Sequence, residues 1–247
     1  MKVRIKFKKY GAMIYIGHLD VMRYFQKAIR RAEIDIAYSQ GFNPHQIMSF
    51  AAPLGVGLYS DGEYLDIECV TVTTSKDMED RLNAVMVEGF EIVNIRELPD
   101  NAGNAMASVA AAEYEVCLRY DAVSDFDYKG QLDAFYKQNQ INVIKQTKKS
   151  EKELDIKPFI FDLSVCFKEA KDKDGNLIKK PVFHMMVDAS SAGNIKPGLV
   201  LQAFYDYAGL KASEFEWVVK RVDTYTNIGS EDTPKFVALD EVGEVIE

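Results

Sequence analysis

A change of hydrophobic period, met twice in the same order, limits this chain to a small set of folds. Val3, Ile5 and Phe7 alternate with Arg4, Lys6 and Lys8, the period of two that marks a half-buried strand. From His18 the period lengthens. Leu19, Met22, Phe25, Ile29 and Ala32 follow helical spacing, which predicts an amphipathic helix over 18–32. Extended segments are expected at 34–38 and 47–53, and at 63–72 after an Asp61-Gly62 turn. A helix using Met78, Leu82, Val85 and Met86, capped by Thr74 or Ser75, and a strand over 90–98 complete a β-α-β-β-α-β order. Residues 99–112 are small and polar and read as a linker. Beyond them the order recurs. A strand is expected at 114–120, a helix at 125–138, and strands near 141–147, 158–168 and 181–188. A helix opening at Pro197 and stopping at Gly209 and a strand over 215–226 follow, with a hairpin turn at Asp172-Lys173-Asp174-Gly175-Asn176. The expected fold class is α+β, two ferredoxin-like βαββαβ halves side by side, covering 1–98 and 113–226. An acidic tail over 227–247 follows them, either partly disordered or folded back as a counter-charge.

Length and composition support this reading. A chain of 247 residues can build two small cores, and 47% apolar with 28% charged residues is ordinary for a globular protein. No run approaches the roughly 18 to 20 apolar residues that span a bilayer. The first nine residues alternate charge with apolar side chains, so a signal peptide is not expected and the default compartment is the cytoplasm. Cys69, Cys117 and Cys166 lie far apart in apolar, strand-like contexts, which predicts buried free thiols. The net charge of −8 is unevenly spread. Residues 1–48 hold nine Lys/Arg against three Asp/Glu, a local +6 that leaves −14 for the rest. Such a chain can present a positive face to an anionic partner, although a solvated strand and helix face would give the same pattern.

The unusual residues concentrate between Gly17 and Gly57. Arg23, Lys27, Arg30 and Arg31 recur at i, i+4, i+7 and i+8 and share a helix face, while Asp20 suits the first turn. The run Tyr38-Ser39-Gln40-Gly41-Phe42-Asn43-Pro44, followed by His45, offers donors, acceptors and two aromatic faces, and Gly41 can open an anion-binding nest. Beside a basic helix this mixture fits nucleotide or RNA recognition by stacking plus phosphate contact. The same residues can instead form a turn whose side chains satisfy its own backbone. His18 is a candidate general acid or base, without a visible nucleophile. His18, Asp20 and His45 lack established metal-ligand spacing, so no metal and no cofactor is expected. In the second half Lys148, Lys149, Lys157-Pro158 and Gly193-Asn194-Ile195-Lys196-Pro197 form a lesser group, in which Asn194 can cap a helix whose N-terminus takes an anion.

His18-Leu19-Asp20 with Arg23, Ala37 through Pro44, Ser49-Phe50 and Pro53-Leu54-Gly55 resemble the radical SAM-linked family of unknown function known as DUF2344. Glu63-Tyr64-Leu65-Asp66, Ala111-Ala112-Glu113-Tyr114 and Gly193 through Pro197 extend the resemblance over nearly the whole chain. Members of that family occur alone or fused to a B12-binding-type radical SAM protein, often beside genes for ribosomal proteins and a ribonuclease. The resemblance therefore implies a radical SAM enzyme as partner, in a separate chain because the CxxxCxxC cluster motif is missing here. It supplies no reaction. The chain departs from the pattern at Lys196, where arginine commonly precedes the proline and would offer a planar fork, and at Asn104-Ala105, where Ser-Leu is usual.

The expected function is a non-catalytic accessory or substrate-binding module for RNA or a nucleotide-like anion, using the Gly17 to Gly57 surface and Asn194 with Lys196. The alternatives are an RNA-processing enzyme that uses His18 without a metal, and a protein–protein adaptor whose basic face meets an acidic partner.

Overall fold

The structure, a computed structural model, describes residues 1–119, 126–146, 151–171, 175–191, 193–211, 216–230 and 232–247. The chain is mixed α/β, dominated by sheet with few helices. In chain order the elements are β1 (Lys2–Lys9), α1 (His18–Arg31), β2 (Met48–Phe50), β3 (Tyr59–Glu68), α2 (Ser75–Val85), β4 (Phe90–Glu97) and α3 (Ala105–Ser108). They continue with β5 (Ala111–Leu118), α4 (Tyr128–Tyr136), β6 (Asn142–Gln146), β7 (Glu151–Asp155), β8 (Ile160–Lys171), β9 (Leu177–Asp188), α5 (Pro197–Tyr207), β10 (Trp217–Asn227) and β11 (Phe236–Ala238). Two compact units emerge, one of residues 1–111 with 221–247, the other of 112–220.

In the first unit β1 lies between β3 and β4, antiparallel to both, and β2 pairs with β3. The alternation read in β1 splits its side chains between two faces. Val3, Ile5 and Phe7 join Phe25 and Ile29 of α1 and Met78 and Leu82 of α2 in one core. Arg4 and Lys6 face the other way, opposite Asp66 and Tyr64 in register. Helix α1 buries Val21, Phe25, Ala28 and Ile29. Leu19, expected in that stripe, is instead 61% exposed, because it sits in the first turn and points away from the sheet. The cap of α2 is Thr74, whose hydroxyl accepts from the Asp77 amide at 3.1 Å.

Two local expectations fail for identifiable reasons. Asp61-Gly62 is not a turn but lies within β3, where a Cβ on Gly62 would stand 2.6 Å from the Asp223 Cα. The glycine therefore permits close approach of the β10 backbone. Residues 34–38 form no strand, only the bridges Ile36 to Cys69 and Tyr38 to Gln46. Residues 99–112 contain α3, capped by Asn104, with Ala105, Val109, Ala111 and Ala112 buried. Residues 236–238 pair as β11 with the end of β10. Beyond them Leu239 is fully buried, Glu244 exchanges backbone bonds with Glu97, and the Ile246 amide donates to the Ser75 hydroxyl.

In the second unit β9 lies between β5 and β8, and β8 and β9 form a long antiparallel hairpin. Tyr114 and Val116, Phe183 and Met185, Leu132 and Phe135 of α4 and Phe204 of α5 share its core with Trp217. A separate pair, β6 with β7, carries the expected 141–147 strand and an unexpected partner. The expected turn residues Asp172, Lys173 and Asp174, the pair Lys148 and Lys149, and the expected strand start at Phe215 lie outside the described residues. Among the described residues no helix is long and apolar enough to cross a membrane.

Candidate functional site

Helix α1 starts at His18 after an extended Gly17, and its outer face leaves Arg23, Lys27, Arg30 and Arg31 exposed. Asp20 reaches Arg23 at 3.7 Å, with both side chains well solvated, so the pair neutralises little. The Tyr38 to His45 turn closes on itself. The Ser39 amide donates to the His45 carbonyl at 2.9 Å, and the His45 amide donates to the Ser39 hydroxyl at 3.1 Å. That hydroxyl also lies 2.8 Å from His45 Nδ1. Gly41 has φ +114°, which a side chain would strain. Gln40, Gly41, Phe42 and Asn43 are exposed, the Phe42 ring stands wholly in solvent, and Tyr38 is 46% exposed. The turn is thus self-satisfied and still presents two rings.

Gln46, which the sequence did not single out, fixes this turn to the helix. It is buried, and its Nε2 donates to the Gln26 carbonyl of α1 at 3.3 Å. Gln26 lies three residues after Arg23 and four before Arg30, the helical neighbour spacings, so the tie brings the turn to the part of α1 that carries those cations. Nothing in the local pattern around Gln46 distinguishes it from a solvent-facing glutamine.

His18 leads elsewhere. Its ring meets Phe50 edge-on at 5.1 Å, and it is half-buried. Burial, then the nearby Lys9 charge, holds the imidazole below its ordinary value. Lys9 is 2% exposed and donates to the Ile16 carbonyl at 3.1 Å. Burial lowers its ammonium from the usual lysine range and outweighs Glu63. Glu63, also buried, meets Arg221 at 2.9 Å, and Arg221 donates to the Ala52 carbonyl at 2.7 Å. Burial pushes the Glu63 carboxyl up, against Arg221, Ser60 and Lys9. None of Lys9, Glu63 and Arg221 was legible as a site residue, since each reads as a solvated position in a strand. His18 and His45 have different partners, Phe50 and Ser39. Among the described residues no group of three or more His, Cys, Asp or Glu side chains is placed to hold a metal.

The opposite face of β1 removes more of the anticipated positive charge. Arg4 makes a two-pronged contact with Asp66 at 2.7 and 2.8 Å and donates to the Leu239 carbonyl at 2.9 Å. Lys6 meets Asp223 at 2.6 Å and Asp240 at 3.3 Å, and the Tyr64 hydroxyl lies within 2.7 Å of both carboxylates. Lys8 pairs with Glu91 at 2.8 Å. Asn194 and Lys196 belong to the other unit. The N-cap position of α5 is occupied by Lys196 rather than Asn194, which takes φ +48° and donates its amide to Asp188 at 3.1 Å. The Asp188 carboxylate also binds Ser190, so this loop is organised around a negative charge. A cavity of about 470 Å³ in the same unit, lined by Phe135, Ile141, Leu199, Gln202 and Tyr207 among others, presents mostly apolar and amide groups with the Asp206 carboxylate, and no cation lines it.

Residues 2–197 match the family described as an uncharacterized protein conserved in bacteria (DUF2344). No curated protein matches the chain. A chain from a structure titled "Crystal Structure of a Cbf5-Nop10-Gar1 Complex" is similar with a TM-score of 0.48 and 10% identity, over 90% of this chain and 48% of that one. The present chain thus spans about half the length of that one.

Proposed function

We propose that this chain, which belongs to the DUF2344 family of uncharacterized proteins conserved in bacteria, is an accessory module that binds single-stranded RNA or a nucleotide-like anion and serves a radical SAM enzyme on a separate chain. The observation that carries the binding reading is the tie through Gln46. It holds a turn with exposed Tyr38 and Phe42 rings against the helix that bears exposed Arg23, Lys27 and Arg30. Rings accept bases by stacking without reading their edges, and cations on one side track the phosphates. The partnership with a radical SAM enzyme rests on the family resemblance. The ferredoxin-like reading of the two units is part of the proposal, and the strand orders support it. Strands β4, β1 and β3 lie in sequence with β2 on β3, and β5, β9 and β8 follow the same scheme.

The test uses the full chain purified gently from its native host, with an Arg23→Glu/Lys27→Glu variant as control. Co-purifying RNA is sequenced, and its affinity is then measured across a salt series. The variant is expected to lose about tenfold or more in affinity and about 2 from the log–log salt slope. Its thermal midpoint should stay unchanged, because both side chains are solvated. Equal affinity for the two proteins, or no RNA with either, overturns the reading. One observation favours the enzymatic alternative: burial, then Lys9, holds the His18 imidazole below its ordinary value, the direction that suits a proton acceptor. His18→Ala separates the two, since an enzyme would lose turnover of the bound RNA while keeping affinity.

A further inference from the structure

The sheet of the second unit packs one face against helices, and on its other face, where Val182 is buried but Ser164, Cys166 and Lys168 are exposed, a thiol, an imidazole and several ammonium groups gather. The burial pattern of β9 sends Phe183, Met185 and Val187 into the core and leaves His184 and Met186 on the other side. In the β8 to β9 register Ser164 faces His184, Cys166 faces Val182 and Lys168 faces Lys180. Lys168 reaches across β9 to Glu115 of β5 at 2.6 Å, which places all these groups on the same face. Within it Cys166 Sγ lies 3.3 Å from His184 Nε2, and the cysteine is exposed.

The chain's other two cysteines provide an internal contrast. Cys69 is buried, and burial pushes its thiol up to about 11. Cys117 is half-buried, burial likewise raises its thiol, and its sulfur lies 4.0 Å from the Val218 carbonyl. Both are less open to a reagent than Cys166, whose sulfur alone combines exposure with an imidazole at hydrogen-bonding distance among the described residues. A thiol needs access and a base to become a nucleophile, and Cys166 has the two together. This also corrects the expectation that all three would be buried thiols.

We propose that Cys166 is a thiol–disulfide exchange site, which forms a mixed disulfide with a small disulfide, and that His184 is its general base. The thiol proton passes to His184 Nε2, and the sulfur attacks one sulfur of the incoming disulfide. A new S–S bond forms as the old one breaks, and the departing thiolate takes the proton back from the imidazolium. One disulfide is consumed and one is made, so no further oxidant enters.

The full chain is treated with glutathione disulfide near neutral pH, and adducts are counted by intact mass and mapped by peptide mass. A single adduct at Cys166 is expected, and Cys166→Ser should abolish it. His184→Gln, checked for fold by circular dichroism, should slow the adduct about tenfold. Comparable labelling of Cys69 or Cys117 in the unaltered chain would overturn the site without recourse to any variant. An unchanged rate in a folded His184→Gln protein would overturn the role of the imidazole.

Discussion

Strand β1 and helix α1 bring basic residues from the same short stretch of chain to very different surroundings. Arg4 and Lys9 are enclosed, and Lys6 is nearly so, whereas Arg23, Lys27, Arg30 and Arg31 stand in solvent. The reason is position. Strand β1 is flanked by a strand on each side and covered on one face by helices and on the other by residues near Leu239 and Asp240. Helix α1 is covered on one face only. Arg4 and Lys6 persist there because carboxylates from distant parts of the chain meet them, and Lys9 donates to the Ile16 carbonyl. Asp66 pairs with Arg4, and Asp223 and Asp240 pair with Lys6. A count of positive charge along a sequence therefore overstates the surface a ligand can meet, and the difference here is Arg4, Lys6 and Lys9 of β1, whereas Lys2 stays exposed.

The largest effect should come from breaking the most enclosed pair. Arg221→Ala leaves the Glu63 carboxylate buried without its guanidinium, and such orphaned charges cost about 3–5 kcal/mol. Arg23→Ala, on the solvated helix, should change stability by less than about 0.5 kcal/mol. Urea denaturation of both variants measures the contrast directly. A cost for Arg221→Ala that matches the one for Arg23→Ala would end the distinction between enclosed and solvated cations.

A second, smaller effect separates the two faces of β1 by the sign of a pH dependence. On the face with Lys6, burial opposes ionisation of Asp240, but bonds from Asn94 and Tyr64 and the Lys6 charge hold its carboxyl below the ordinary 3.8. The unfolded chain then binds more protons, so this stability is present above pH 3.8 and is lost as pH falls through the folded value. On the helix-covered face Glu63 is raised above 4.5 by burial. The folded chain then binds more protons, so that contribution is present below pH 4.5 and is lost as pH rises through the folded value. Each group contributes a slope of at most about 1.4 kcal/mol per pH unit. Unfolding free energies measured over a pH series should show Asp240→Asn flattening the acid limb and Glu63→Gln flattening the limb above it. If both substitutions flatten the same limb, the two faces do not differ as described.

What the sequence disclosed follows the same division. Helix α1, helix α2 with its Thr74 cap, and the alternating strand β1 were legible because period and capping are local properties. So were the exposed rings and cations near Tyr38, since Gly41, Pro44 and the i, i+4 basic spacing act over a few residues. Lys9, Glu63 and Arg221 were not legible, because their chemistry depends on partners more than 50 residues apart. Asp61-Gly62 misled for a related reason. The pair is a turn signal by itself, and only the β10 backbone against Gly62 makes it a strand position. Cys166 reads as a core thiol because its neighbours alternate, yet the alternation puts it on the face away from the helices, beside His184.

The smallest effect concerns the solvated region itself and asks what its turn is for. Ser39 accepts a hydrogen bond from the His45 amide and touches the His45 ring, and both residues lie at the surface. A solvated hydrogen bond of this kind contributes at most about 1 kcal/mol, so Ser39→Ala should leave the unfolding midpoint nearly unchanged. If the turn only satisfies its own backbone, the substitution should have no further consequence. If it holds Tyr38 and Phe42 ready for bases, loosening it adds an ordering cost to binding, of about 0.5–1.5 kcal/mol for each side chain that must be immobilised. RNA affinity should then fall several-fold at constant salt slope, since no cation has been removed. That outcome differs from the Arg23→Glu/Lys27→Glu variant, in which affinity and slope fall together. A Ser39→Ala protein with full affinity would assign the turn to local folding alone, and the cations of α1 would have to bind without a preformed stacking platform.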